Sequence, residues 1–178
     1  MRRLERAALL ATLAEKLIKH GSWCGETHLQ KATYFLQEMF GVSLGYEFVL
    51  YKHGPFSFEL RDELTSLRAD GVLELRPRPY PYGPSLYPSE SGRKLAARFA
   101  NLTEQYDREI SLVATYFGDK GVAELERLAT ALYVRKMDPS LSQEQRAKRI
   151  CALKPHVHFG AAYEAVRSVD ELYENLQS

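Results

Sequence analysis

The chain has 178 residues, 45% of them hydrophobic and 26% charged, proportions that suit a packed domain and exclude wholesale disorder. The formal net charge of +1 excludes a global electrostatic pull toward nucleic acid, so binding of that kind needs a local basic face. No apolar run approaches the ~18 residues of a membrane span.

The N-terminal stretch, basic at Arg2, Arg3 and Arg6, carries Leu4, Ala7, Leu10, Ala14, Leu17 and Ile18 at helical spacing and stops at Gly21, which predicts an amphipathic helix rather than a signal peptide. Cys24 and Cys151 lie far apart and read as reduced thiols, so a cytoplasmic location is expected. Thr27-His28-Leu29-Gln30 has the form of a capping box. It opens a stretch through Phe40 that is apolar on nearly every side, as a helix in the middle of a domain should be. Tyr46–Tyr51 predicts a strand, and Lys52–Ser57 a turn. Ser57 then caps a helix bearing Leu60, Leu64 and Leu67, which closes at Asp70-Gly71.

Val72–Arg76 and Ser85–Pro88 predict a two-stranded ribbon. Between them, Pro77, Pro79, Pro81, Gly83 and Pro84 make a stiff, non-helical tip. Ser89-Glu90-Ser91-Gly92 opens the next helix, through Leu95, Ala96, Phe99 and Leu102. Further helices follow on Ile110 and Val113, on Leu125 to Tyr133, after Ser142-Gln143-Glu144-Gln145, and on Tyr163 to Leu176, with Pro155 ending the third of these. The expected fold is mainly α with a small β component. The order helix, helix, strand, helix, ribbon, helix predicts a winged-helix-like core over about residues 1–103 of one domain, with a C-terminal helical annex over about 104–178.

Three segments together resemble a known group: Leu29-Gln30-Lys31-Ala32-Thr33-Tyr34-Phe35-Leu36; Tyr51-Lys52-His53-Gly54-Pro55-Phe56-Ser57 with Leu60 and Leu64; and Leu153-Lys154-Pro155-His156. The chain is similar to the YwgA-type proteins and their relatives in the Panacea (SocA-like, phage-associated) group of prokaryotic proteins. The resemblance implies an antitoxin-like or proteolysis-adaptor role, neutralising a toxin or controlling a target by binding it. It supplies no catalytic residues.

The residues themselves weigh the chemistry. A recognition helix in the major groove needs Arg, Lys, Asn or Gln on its outward positions. The helix after Ser57 offers Glu59, Asp62, Glu63, Ser66 and Asp70 there, with Arg61 and Arg68 as its only cations. The tip offers Arg76, Arg78, Tyr80 and Tyr82, the aromatic and arginine mixture of protein-binding patches. Lys31, Lys52, His53, Gly54 and Ser57 form a candidate anion site at a helix N-terminus, or simply the chemistry of a tight turn.

His20, Cys24 and His28, and separately Cys151, His156 and His158, lack the pairing of a zinc motif, so no metal is expected. Without a phosphate loop or nucleophile motif, neither catalysis nor a cofactor is expected. The expectation is a protein-interaction module that binds another protein, with a homodimer as a further use of the annex. The alternative is a DNA-binding regulator using Arg76 and Arg78 with Arg2, Arg3 and Arg6.

Overall fold

A computed structural model describes residues 1–177, with the backbone alone described at Gln177. The chain is mainly helical with two small antiparallel sheets. It divides into two compact units, Met1–Phe48 with Ser57–Lys120, and Val49–Phe56 with the chain from Gly121 onward.

The first unit begins with helix α1 (Arg3–Lys19), whose Leu9, Leu10, Leu13 and Leu17 are fully buried. Helix α2 (Glu26–Glu38) buries nine consecutive residues, His28 to Leu36, as its all-round apolar sequence requires. Phe35 of α2 stacks on Phe117 with ring centroids 3.8 Å apart. The capping box expected at Thr27 does not form. The helix starts at Glu26 with Gly25 as its N-cap, and Gln30 is engaged elsewhere. Its side-chain amide donates to the Ser57 carbonyl at 2.9 Å, while its Oε1 accepts from the Ser57 N–H at 3.0 Å.

The strand expected over Tyr46–Tyr51 is shorter for a similar reason. The Tyr46 N–H and carbonyl are both satisfied by the Gln37 side chain, at 2.9 and 2.8 Å, so no strand partner is needed there. Helix α3 (Phe58–Ala69) is capped as expected, the Ser57 hydroxyl accepting from the Leu60 N–H. Gly71 follows it at φ +70°, the left-handed turn that favours glycine after a helix.

The ribbon pairs Leu73–Arg76 with Ser85–Pro88 in antiparallel register, Leu73 opposite Pro88 and Arg76 opposite Ser85. On the ribbon's other edge the Leu86 N–H donates to the Cys24 carbonyl at 2.7 Å. Helix α4 (Glu90–Arg98) starts on a Ser89 cap. The single helix expected through Leu102 instead breaks at Phe99 (φ −105°, ψ 32°), and α5 (Ala100–Gln105) continues beyond it. Helix α6 (Asp107–Phe117) packs Ile110 and Val113 into the core of this unit.

In the second unit, β1 (Val49–Tyr51) and β2 (Gly54–Phe56) form a hairpin with Tyr51 opposite Gly54. Half of the expected Lys52–Ser57 turn is therefore strand, and only Lys52-His53 turn the chain. Gly54 sits at φ +84°, and a Cβ there would lie 3.2 Å from Thr130 Oγ1. The position therefore needs glycine for both its backbone conformation and its packing.

Helices α7 (Val122–Met137), α8 (Gln143–Leu153) and α9 (Phe159–Gln177) complete the unit. The Ser142 and Gln145 capping box forms as expected. Lys154 is buried, and its ammonium donates to the carbonyls of Tyr51 and Lys52 at 2.6 Å each. Among the described residues, no helix is long and apolar enough to cross a membrane.

Candidate functional site: the ribbon tip and its aromatic corner

The tip between the ribbon strands carries the exposed chemistry of the first unit. Tyr80 is 97% exposed and Tyr82 is 51% exposed. Arg78 lies with its guanidinium carbon 4.7 Å from the Tyr82 ring centroid and 3.9 Å from that of Trp23. The two rings meet edge to face at 5.2 Å. Trp23 is itself 49% exposed and Arg78 is half-buried between the rings, so the three side chains form a surface corner rather than a core cluster.

Local sequence builds this corner. Prolines at 77, 79, 81 and 84 hold the tip away from helix. The Cys24–Leu86 backbone bond fixes the residue next to Trp23 against the ribbon. Cys24 adopts φ 48° at that point, which turns the chain from Trp23 into α2. Burial pushes the Cys24 thiol up to about 12, so it stays protonated at neutral pH.

Of the four tip residues singled out from sequence, Arg78 and Tyr82 meet in the corner. Tyr80 stands free beside them. Arg76 lies over the Tyr87 ring at 3.8 Å and bonds Glu74 at 3.0 Å, so its charge is already matched within the ribbon. Sequence reasoning missed Trp23. Its signal was its rarity, since it is the only tryptophan of the chain, and it lies between Gly21 and Cys24, both at positive φ.

The other candidate set divides. Lys31, only 1% exposed, and Ser57, fully buried, belong to the first unit. The Ser57 hydroxyl and both its backbone groups are already engaged by Leu60 and Gln30. Lys52, His53 and Gly54 belong to the second unit. There the buried carboxylate of Glu126 lies 3.7 Å from His53 Nδ1, 3.3 Å from His156 Nε2 and 3.6 Å from Lys154 Nζ, so the cationic groups at this turn already face a carboxylate.

The exposed face of α3 is mixed, with Glu59 and Asp62 beside Arg61 and Arg68, and Asp70 just past its end, all in solvent. Glu63 corrects the sequence reading. It is buried, accepting from the Tyr46 hydroxyl at 2.6 Å and from Arg6 Nε at 3.0 Å. Burial first, then the Glu63 carboxylate, push the Tyr46 phenol far above its ordinary value.

His28 is buried on the Lys120 carbonyl. Burial and the positive charge of Arg78 hold it below its ordinary value, against that carbonyl. Among the described residues, no three histidine, cysteine or acidic side chains form a group that could hold a metal ion. No protein-family model matches this chain, and no curated protein matches it in sequence.

Proposed function

We propose that this chain is a non-enzymatic protein-interaction module, a cytoplasmic antitoxin-like or regulatory adaptor, and that its ribbon tip takes the partner. The observation that carries this reading is the corner in which exposed Trp23 and Tyr82 flank a half-buried Arg78, with exposed Tyr80 two residues along the tip. Tryptophan, tyrosine and arginine are the residues in which interface energy concentrates, and rings held on a stiff tip lose little freedom on binding. A winged-helix reading of the first unit is supported by the order α1, α2, α3, ribbon, α4 and by the Cys24–Leu86 bond along the ribbon edge.

The resemblance to the YwgA and Panacea group rests on the quoted motifs alone, whose residues have structural roles in this chain. Gln30 clamps Ser57, Gly54 opens β2 at positive φ, and Lys154 holds the hairpin carbonyls. The DNA-regulator alternative has less support. The exposed positions of α3 carry two carboxylates, Glu59 and Asp62, against two arginines, Arg61 and Arg68, so the helix offers a phosphate backbone no net positive charge.

The test is capture of partners by the tagged full chain from extracts of its host, at moderate salt and after nuclease treatment. A stoichiometric protein partner is expected, with recovery reduced at least roughly tenfold by Tyr80→Ala with Tyr82→Ala, since aromatic anchors each contribute about 1–2 kcal/mol or more. Tyr80 is almost fully exposed, so its loss leaves the fold intact. Recovery of nucleic acid alone, released by salt, would replace this reading with the regulator one.

A further inference from the structure

The ribbon and its tip, Leu73 to Pro88, carry three charged side chains: Glu74, Arg76 and Arg78. Glu74 and Arg76 bond each other, which leaves one cation. Arg78 has no carboxylate within ion-pair distance among the described residues, and its N–H groups make no hydrogen bond there. What contacts the guanidinium is aromatic: Trp23 at 3.9 Å and Tyr82 at 4.7 Å. Cation–π contact uses the faces of the planar ion and leaves its in-plane N–H fork for a bidentate acceptor. The charge is also felt locally, since it helps hold buried His28 below its ordinary value.

We propose that the corner of Trp23, Arg78 and Tyr82 docks an acidic segment of a protein partner, one carboxylate on the Arg78 fork and a neighbouring apolar side chain against Trp23 and Tyr80. This rests on the adaptor reading and adds the chemistry of the partner. A single unmatched cation suits a single carboxylate. A nucleic-acid backbone is held by several phosphate contacts at once, and the ribbon has nothing to offer a second phosphate. Arg78 thus selects among protein segments by charge, while the exposed rings supply contact area.

Trp23, as the only tryptophan, gives the site its own reporter. The indole N–H resonance of the labelled full chain is followed while a short, end-blocked peptide of alternating glutamate and leucine is added. Its glutamine counterpart and a short DNA duplex are titrated separately. The glutamate peptide is expected to shift the resonance saturably and to bind roughly tenfold or more tighter than the glutamine peptide, the usual margin of a charge-assisted hydrogen bond. Arg78→Gln should remove that margin, and Arg78→Lys, which keeps the charge but not the fork, should restore only part of it.

Equal binding of the two peptides, an effect untouched by Arg78→Gln, no response to either peptide, or tighter binding of the duplex would each overturn the proposal. The adaptor reading fails separately. It falls if capture yields nucleic acid alone or a protein partner indifferent to Tyr80 and Tyr82, and a partner lost with those tyrosines but kept in Arg78→Gln would refute the acidic chemistry alone.

Discussion

Asp170→Asn should destabilise the second unit by about 3–5 kcal/mol, the cost of stripping a buried ion pair of one partner. Asp170 lies on α9 and gathers three side chains. Arg146 bonds both its oxygens at 2.7 Å, Gln143 bonds one at 2.8 Å, and Arg135 reaches it as well. The side chains of Arg146 and Asp170 are 8% and 9% exposed. Asparagine keeps the shape but leaves the Arg146 guanidinium buried without a counter-charge, so the effect is electrostatic rather than a cavity. Urea unfolding at neutral pH, with hydrogen exchange read on α8 and α9, measures it. A loss under about 1 kcal/mol would mean that water reaches and solvates the pair, as at exposed ion pairs.

The same carboxylate sets an acid limit. Burial pushes Asp170 up, but hydrogen bonds from Arg146 and Gln143 and the charges of Arg146 and Arg135 outweigh it, and the group sits below its ordinary value. In acid the unfolded chain therefore takes up the proton first. The stabilisation is complete above the unfolded value of about 3.9 and disappears as pH falls through the lower folded value. Stability of the wild-type unit measured across that window should drop with acid, and the Asp170→Asn chain should lack that component of the slope.

Gly92→Ala is expected to destabilise the first unit by about 3 kcal/mol, the upper end of ordinary overpacking. A Cβ at Gly92 would lie 2.2 Å from the Val72 carbonyl oxygen and 3.2 Å from its carbon. Both are backbone atoms, so no rotamer change relieves the clash. Movement of Val72 would also disturb the Ser89 N–H bond to its carbonyl at 3.0 Å, next to the Ser89 hydroxyl that bonds Gly71 and caps α4. The ribbon base and the start of α4 would loosen together. A thermal melt should fall by roughly 10 °C or more. Gly83→Ala is the control, because a Cβ there meets nothing within 4 Å, and it should stay within about 0.5 kcal/mol of wild type. Equal melts for the two variants would show that the Val72–Gly92 approach is looser than described.

Much of the helical framework could be read from residues alone, because amphipathic stripes and cap residues are local signals. Ser57, Ser89 and Ser142 accept the N-terminal amides expected of them. The misreadings share a cause in side chains that replace backbone partners over distance. Gln30 and Gln37 read as ordinary helix residues, yet they satisfy Ser57 and Tyr46 and so set where α3 begins and where the strand does not. Glu63 falls on the outward stripe by spacing, and only the arrival of Tyr46 and Arg6 buries it. At the tip, composition alone picked out Arg78, Tyr80 and Tyr82. Trp23 escaped notice because 55 residues (78 − 23) separate it from the arginine it stacks on.

The hairpin Val49–Phe56 has a consequence for how the molecule is made. A ribosome finishes it long before its support exists. The lysine that holds the Tyr51 and Lys52 carbonyls comes 102 residues after Lys52, and at about 5–20 residues per second that is roughly 5–20 s of synthesis. Throughout that interval the nascent chain carries a short pair of strands whose anchor has yet to be translated, tethered to helices that can already begin to pack. Codon choice or a pause between residues 57 and 154 would lengthen that exposure without changing a single contact in the finished protein.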